Sequence, residues 1–358
     1  MDIVVVGSGA AGIAAAVSAA RAGCAVLLMD PQPSPGGTGG FSGLTTLCGA
    51  YDDNGSFLND GYSREFVDAI SETAPVRMGR VWALPYRPER FREVAAAVFA
   101  STPNLASRWN TSLANVTVAA NRIARLNGLR VGAVIDCSGS AEVARAIGLG
   151  CLETDETTQA GAIIFPLRHV DHDFSAPPAM AQVLLPLARA GFPPLSFQPH
   201  LEPHSVTVKF TGCADQIPHL IDFLRANVSG FQKCETPLTE FRTAVRAGRM
   251  ILGRHLLSGM DVLAGQKFPD AVARCAWPIE QWGKDGIAQV RYLPPGTCYE
   301  IPARSLRAAR TENLFMAGKT ISADVDAIAS ARVMGCCLAT GAAAGKLAAA
   351  YLQSSGKP

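Results

Sequence analysis

Three glycines and one aspartate near the N-terminus have the types and spacing to do recognisable chemistry. Gly7, Gly9 and Gly12 stand in GxGxxG spacing within MDIVVVGSGAAG, with Ala10 and Ala11 between the last two. Small residues at this spacing bring bare backbone N–H groups at a helix N-terminus against a pyrophosphate, where the amides and the helix dipole both favour negative charge. Asp30 follows eighteen positions after Gly12, at the end of the apolar run CAVLLM. That is where a carboxylate holds ribose hydroxyls. Glycines also end strands for purely conformational reasons, so the reading rests on the whole constellation of strand, glycine turn, helix, strand and acid.

The elements that must position these residues are legible as patterns. Met1 to Val6 reads as a short buried strand, the alanine-rich stretch from Ile13 as a helix, and Cys24 to Met29 as a second strand. The Pro/Gly-dense stretch after Asp30 predicts an extended loop without regular helix, and its length points to function. Helices are expected over Arg64 to Glu72 and Glu89 to Ala100, and strands over Leu113 to Val118, Arg122 to Leu126 and Arg130 to Ile135. The last strand runs through Asp136-Cys137-Ser138-Gly139-Ser140 into a helix over Ala141 to Ile147, which repeats the opening pattern. From about Cys151 to Ala273 the character changes. Ala162 to Phe165 and Ser205 to Phe210 alternate as antiparallel strands, with loops at Pro177-Pro178 and Pro193-Pro194 and helices over Ile217 to Asn227 and Pro237 to Leu252. The first pattern then returns as a strand over Asn313 to Ala317, a turn at Gly318 and a long helix over Arg332 to Tyr351.

Composition removes several classes. The 358 residues are enough for two interleaved units, and 48% apolar against 17% charged residues excludes disorder. A formal charge of +2 without a Lys/Arg block argues against nucleic acid and against an anionic membrane surface. Ten cysteines without a CxxC pair fit reduced thiols in a cytoplasmic protein. With the first core strand reading from the first residues, no signal peptide is expected, and Leu338 to Leu352 is expected to be too short for a membrane helix.

Four segments together resemble the FAD-dependent oxidoreductase family of the glutathione-reductase-like flavoproteins. They are GSGAAG at Gly7 to Gly12, PGGTGGFSGL at Pro35 to Leu44, VIDCSGSAEVARAIG at Val134 to Gly148, and ENLFMAGKTISADVDAIASARVMGCCLATGAAAG at Glu312 to Gly345. The resemblance implies an α/β fold: a Rossmann-like FAD-binding domain with a parallel sheet and β-meander, formed by residues 1–150 and 275–358. A second α+β substrate domain on an antiparallel sheet occupies residues 151–274. Gly7, Gly9, Ala10, Ala11 and Gly12 correspond to the pyrophosphate turn, Asp30 to the acid on the adenosine ribose, and Gly36, Gly37 and Thr38 to the segment passing the pyrophosphate and ribityl chain. Leu113 corresponds to the backbone beside adenine, and Ser138 and Gly139 to the turn covering the adenosine half. Gly318 closes a strand where relatives often carry an acid beside the ribityl hydroxyls; Lys319 stands here instead, with Asp324 nearby. Arg332, Val333 and Gly335 correspond to the start of the last helix, whose N-terminus faces the flavin N1/C2 carbonyl edge.

A second glycine fingerprint and a CxxC pair are both missing from the sequence, which argues against a pyridine-nucleotide domain and against dithiol chemistry. The expectation is an enzyme that oxidises a small organic substrate by hydride transfer to flavin N5. The alternatives are a flavin-dependent monooxygenase and an accessory flavoprotein that modifies a partner protein; a homodimer is also open. Cys48 in TTLCGAY, and Tyr292 and Tyr299 flanking LPPGTC, are the candidate catalytic residues. Trp277 and Trp282 either wall the flavin cavity or fill core. His200 and His204 lack a metal-ligand spacing, so no metal is expected.

Overall fold

The first strand, β1 (Ile3–Val6), is IVVV with all four side chains buried, as a central parallel strand covered on both faces requires. The computed structural model describes residues 1–155, 157, 159–174, 179–283 and 289–354, so the expected Pro177-Pro178 loop lies outside the described residues. After β1 come α1 (Ala10–Arg21), β2 (Val26–Met29), α2 (Gly37–Phe41), β3 (Thr46–Cys48), α3 (Pro88–Ser101), β4 (Leu105–Arg108) and β5 (Ala133–Asp136). The middle of the chain supplies β6 (Ala162–Arg168), β7 (Leu195–Pro199), β8 (Ser205–Phe210) and β9 (Arg242–Ala244). The C-terminal part adds β10 (Leu314–Met316), α4 (Val325–Ala331) and α5 (Met334–Ser354).

The fold is α/β. A five-stranded sheet of order β10-β5-β1-β2-β4 is parallel at every pairing, which is the Rossmann-like arrangement. A three-stranded antiparallel meander over Val116–Ala119, Arg122–Leu126 and Leu129–Arg130 is inserted before β5. The separate antiparallel sheet has order β7-β8-β6-β9. Its core of Phe165, Phe197, Phe210 and Phe231 is closed by the helices Ala179–Arg189 and Ile217–Asn227.

Alanine and glycine are abundant in α1 and α5 because the two helices meet backbone to backbone. A methyl group on Gly341 would lie 2.1 Å from the Ala11 carbonyl oxygen, and one on Gly345 would lie 2.3 Å from that of Ala15. This contact also corrects the membrane expectation. At 21 residues, α5 is long and apolar enough to cross a membrane by length and composition, but most of it is buried in the fold, as the core helix of a globular protein.

Four further expectations change. The stretch Pro237 to Leu252 is not a helix; it forms a short 3-10 turn (Leu238–Glu240), β9 and the strand Gly248–Ile251. Pairing of β9 with β6 and of Gly248–Ile251 with Cys151–Thr154 overrides local helix propensity. The strand expected from Leu113 starts only at Val116, while β4, part of the parallel sheet, was not anticipated. The Pro/Gly stretch does contain a helix, α2, because Gly39 and Gly40 let it lie directly on Phe91 and Arg92 of α3. The last helix begins at Met334 rather than Arg332, and a break at Arg332 and Val333 separates it from α4.

Candidate functional site

The turn from β1 into α1 is built for contact with a ligand. Gly7 has φ +101°, and a methyl group there would lie 2.4 Å from the Cys137 carbonyl oxygen; on Gly12 it would lie 1.8 Å from that of Gly7. No side chain caps α1 at Gly9, and its first turn contains no acid, so the positive end of the helix is left to an external anion. Ser8 is 1% exposed, and its buried hydroxyl has no hydrogen-bond partner in the protein. Its backbone N–H donates to Asp30 Oδ2 at 2.6 Å, while Asp30 Oδ1 accepts the Gln32 N–H at 2.8 Å. Asp30 therefore helps to shape the turn from the end of β2.

The other expected segments arrive from both sides. Gly36 donates its N–H to the Ser8 carbonyl at 3.1 Å, and Gly37, at φ +49°, lies so close that a methyl would sit 2.6 Å from the Gly9 Cα. Thr38 is exposed at the start of α2. A methyl on Gly318 would lie 2.9 Å from the Ala11 Cβ, so the turn after β10 also reaches α1. Ser138 is occupied within its own turn: its hydroxyl and N–H donate to Asp136 Oδ1, and its Oγ accepts the Glu142 N–H. Asp136 is fully buried; burial raises its pKa against these hydrogen bonds and that from the Val143 N–H. Gly139 faces the Lys319 side chain, whose Nζ donates to the Val245 carbonyl at 3.3 Å. Leu113 is half-buried against the core beneath the sheet. Asp324 caps α4, accepting from the Ala327 N–H at 2.7 Å and from the Gly259 N–H at 3.0 Å.

The start of α5 meets the segment that follows β3. A methyl on Gly335 would lie 2.4 Å from the Ala50 N, and Val333 fills the space against Gly49. Cys48 is thus brought beside the break between α4 and α5. Burial pushes its thiol up to about 12, with Lys209 opposing, so it stays protonated at neutral pH. Trp282 lies beneath two cations, with the Arg246 guanidinium carbon 4.7 Å and Lys209 Nζ 5.7 Å from its ring centroid. Arg332 donates from Nη2 to Gln159 Oε1 at 2.9 Å.

The tyrosines do not join Cys48. Tyr299 is fully buried and its hydroxyl is 2.8 Å from Ser330 Oγ, which removes it from contact with a substrate in this arrangement. Tyr292 is 40% exposed beneath the Arg80 guanidinium. Trp277 is core, its carbonyl accepting from the Ser330 hydroxyl. His204 meets Asp171 at an exposed edge and His200 accepts the Glu202 N–H. A cavity of about 240 Å³ near Met1, Gly23 and Leu352 lies at the opposite ends of the strands from the glycine turn, away from where open α/β sheets hold their ligands.

The profile of the FAD dependent oxidoreductase family matches residues 2–190 and 198–358. The chain belongs to this family. It is an FAD-dependent oxidoreductase. No sequence among the curated proteins matches it. Among solved structures, a geranylgeranyl bacteriochlorophyll reductase-like protein from Thermoplasma acidophilum superposes with TM-score 0.51 at 13% identity, covering 99% of this chain and 79% of its own. The flavin-dependent brominase Bmp2 gives 0.53 at 12%, covering 98% and 79%, and GidA from Aquifex aeolicus 0.52 at 13%, covering 99% and 63%. At these identities the likeness concerns the fold. The oxidoreductase thus spans most of the first two chains and less than two thirds of GidA.

The residues present fit FAD: an uncapped helix end, glycines placed where any Cβ would collide, and a buried hydroxyl lacking a partner converge on one turn. The sequence reading of this oxidoreductase missed Ser8, Gln159, Lys209, Arg246 and Glu280. Lys209 lies on β8, Arg246 just beyond β9, Glu280 on the strand Ile279–Gln281 and Gln159 on the segment bridged to Trp282, so only the fold brings these four together. A lysine within the apolar SVTVKF strand was the one visible signal.

Proposed function

We propose that this flavoprotein oxidises a small organic substrate by hydride transfer to flavin N5. Reaction would occur where the start of α5 and Cys48 meet the antiparallel sheet. In this reading residues 1–150 and 275–358 bind FAD, residues 151–274 cover the substrate, and the enzyme works in the cytoplasm. The observation that carries it is the α1 N-terminus, uncapped and beside the unpartnered Ser8 hydroxyl, which would hold the pyrophosphate through Gly9, Ala10, Ala11 and Gly12. Gly36 and Gly37 would line its other side, and Asp30 would take the ribose.

FAD, when bound, supplies a two-electron acceptor. The rest falls to the chain. The first turn of α5 holds no acid, so its dipole favours the negative charge that builds up nearby on reduction. Cys48, held as a neutral thiol, offers a hydrogen-bond donor rather than a nucleophile. The joint between Thr45 Oγ1 and Thr207 Oγ1, 2.7 Å apart and buried, ties the segment before β3 to the antiparallel sheet and keeps water from that side.

The test is anaerobic mixing of the yellow protein with amines, 2-hydroxy acids and sugars, following flavin absorbance at about 450 nm. Bleaching by one class supports the proposal. Incorporation of isotopically labelled O2 into product would favour the monooxygenase alternative, and turnover with a protein partner alone the accessory role.

A further inference from the structure

Four cations converge where α4 and α5 meet the antiparallel sheet. Arg246, beyond β9, is only 9% exposed, and its Nη1 donates to the Ala160 carbonyl at 2.6 Å. Lys209 of β8 shares the Trp282 ring with it. Arg332 binds Gln159 through Nη2, but its Nε is buried with no hydrogen-bond partner. Lys319 reaches in from the turn after β10. Thr154, Gln159, Arg246, Gly248, Lys319 and Arg332 border a cavity of about 10 Å³. Among the described residues, none of the four cations has a carboxylate within 4.0 Å.

Glu280 is the acid that opposes them, and it acts at a distance on Lys209, Arg246 and Arg332. Among the described residues, one negative charge against four positive ones leaves the site short of an anion. Burial lowers the proton affinity of every member, Arg246 to about 10, with Arg332 adding repulsion. Such a cluster is costly to keep unpaired and becomes favourable once a desolvated anion satisfies its donors.

We propose that this cluster anchors the carboxylate of an acidic organic substrate, with Arg246 and Arg332 as the binding forks and Lys209 and Lys319 supplying charge. The inference rests on the proposed oxidation of a small substrate and specifies its class. Two planar guanidinium groups beside the Gln159 amide match the flat, two-oxygen end of a carboxylate. The cavity has room for about one water as it stands, so either anion needs the side-chain ends around it to move, and a carboxylate, with two oxygens in one plane, needs less movement than a tetrahedral phosphate. The other source of an anion is the FAD diphosphate, since Gly318, next to Lys319, touches Ala11.

Calorimetric titration of the FAD-loaded protein with benzoate, acetate and inorganic phosphate separates these. The carboxylates bind and phosphate does not. Arg246→Met weakens benzoate by about tenfold or more, with FAD per chain unchanged. Should Arg246→Met not fold, Lys209→Met serves, with a loss of about threefold. The proposal is overturned if neither carboxylate binds, if phosphate binds as well as benzoate, or if the variants lose FAD instead of benzoate. Benzoate binding that depends on Arg246 in a protein that holds no flavin would sink the oxidation reading and leave the anion subsite standing.

Discussion

Ser8 and Asp30 are joined by a 2.6 Å hydrogen bond from the backbone N–H of the first to Oδ2 of the second, which couples the ends of β1 and β2. Asp30 also takes the Gln32 N–H, so both carboxylate oxygens are engaged before any ligand arrives. Removing them strands one buried and one half-buried donor. Asp30→Ala should lower stability without FAD by roughly 2–3 kcal/mol and reduce FAD per chain. Asp30→Asn, keeping one acceptor, should lose about half as much. Urea denaturation of the apoprotein and the FAD released on unfolding measure the two effects; an Ala variant as stable as the parent would dismiss the structural role.

The contact of α1 with α5 makes a steric prediction. A Cβ on Gly341 would meet the Ala11 backbone at 2.1 Å, and backbone cannot rotate away as a side chain can. Gly341→Ala should therefore push the helices apart, costing about 1–3 kcal/mol, and should weaken FAD binding because Ala11 belongs to the glycine turn. Gly23→Ala is the comparison: nothing stands within 4 Å of its Cβ, but at φ +87° it carries backbone strain of about 1 kcal/mol without affecting FAD. Equal FAD loss in both variants would show that the effect is global unfolding.

What was legible in the sequence was local. A β-branched run, three glycines and an alanine helix specify β1, the turn and α1 through short-range sterics, and the family resemblance extended this to the turns at Gly36, Ser138 and Gly318. β4 was hidden because Leu-Ala-Ser-Arg is a strand only by pairing with β2. Arg242 to Ile251 misled for the opposite reason: good helix formers were drawn into strands by their neighbours. Beyond Arg332 and a lysine set in the apolar SVTVKF strand, the cationic pocket left no pattern, since Gln159, Lys209, Arg246 and Arg332 lie far apart in the chain. Asp324 stood in the right neighbourhood, but its carboxylate went to a helix cap.

Cys48 should resist alkylation. With its thiol pKa near 12, the thiolate fraction at pH 8 is about one in ten thousand, far below that of an ordinary thiol. Iodoacetamide at pH 8 should label the exposed Cys213 first and reach Cys48 only after unfolding. Peptide mapping against time reads this directly. Prompt labelling of Cys48 in the folded protein would mean that it is activated, and would restore a nucleophilic role.

Acid stability should contain a component from Asp270. Partial burial works to raise its pKa, but Arg304 outweighs this through side-chain bonds at 3.0 and 3.3 Å and a backbone N–H, holding the carboxyl below its ordinary 3.8. A depressed folded pKa means that the stabilisation is complete above the unfolded value and is lost as pH falls through the folded one. The pair is partly exposed, so its worth is about 0.5–1 kcal/mol and shrinks with salt. Wild type should exceed Asp270→Asn by that amount from neutral pH down to about pH 5, and the gap should close below about pH 4. A gap that stays constant through the acid range would show that Arg304 binds the neutral amide as well as the carboxylate, and that charge contributes nothing to this joint.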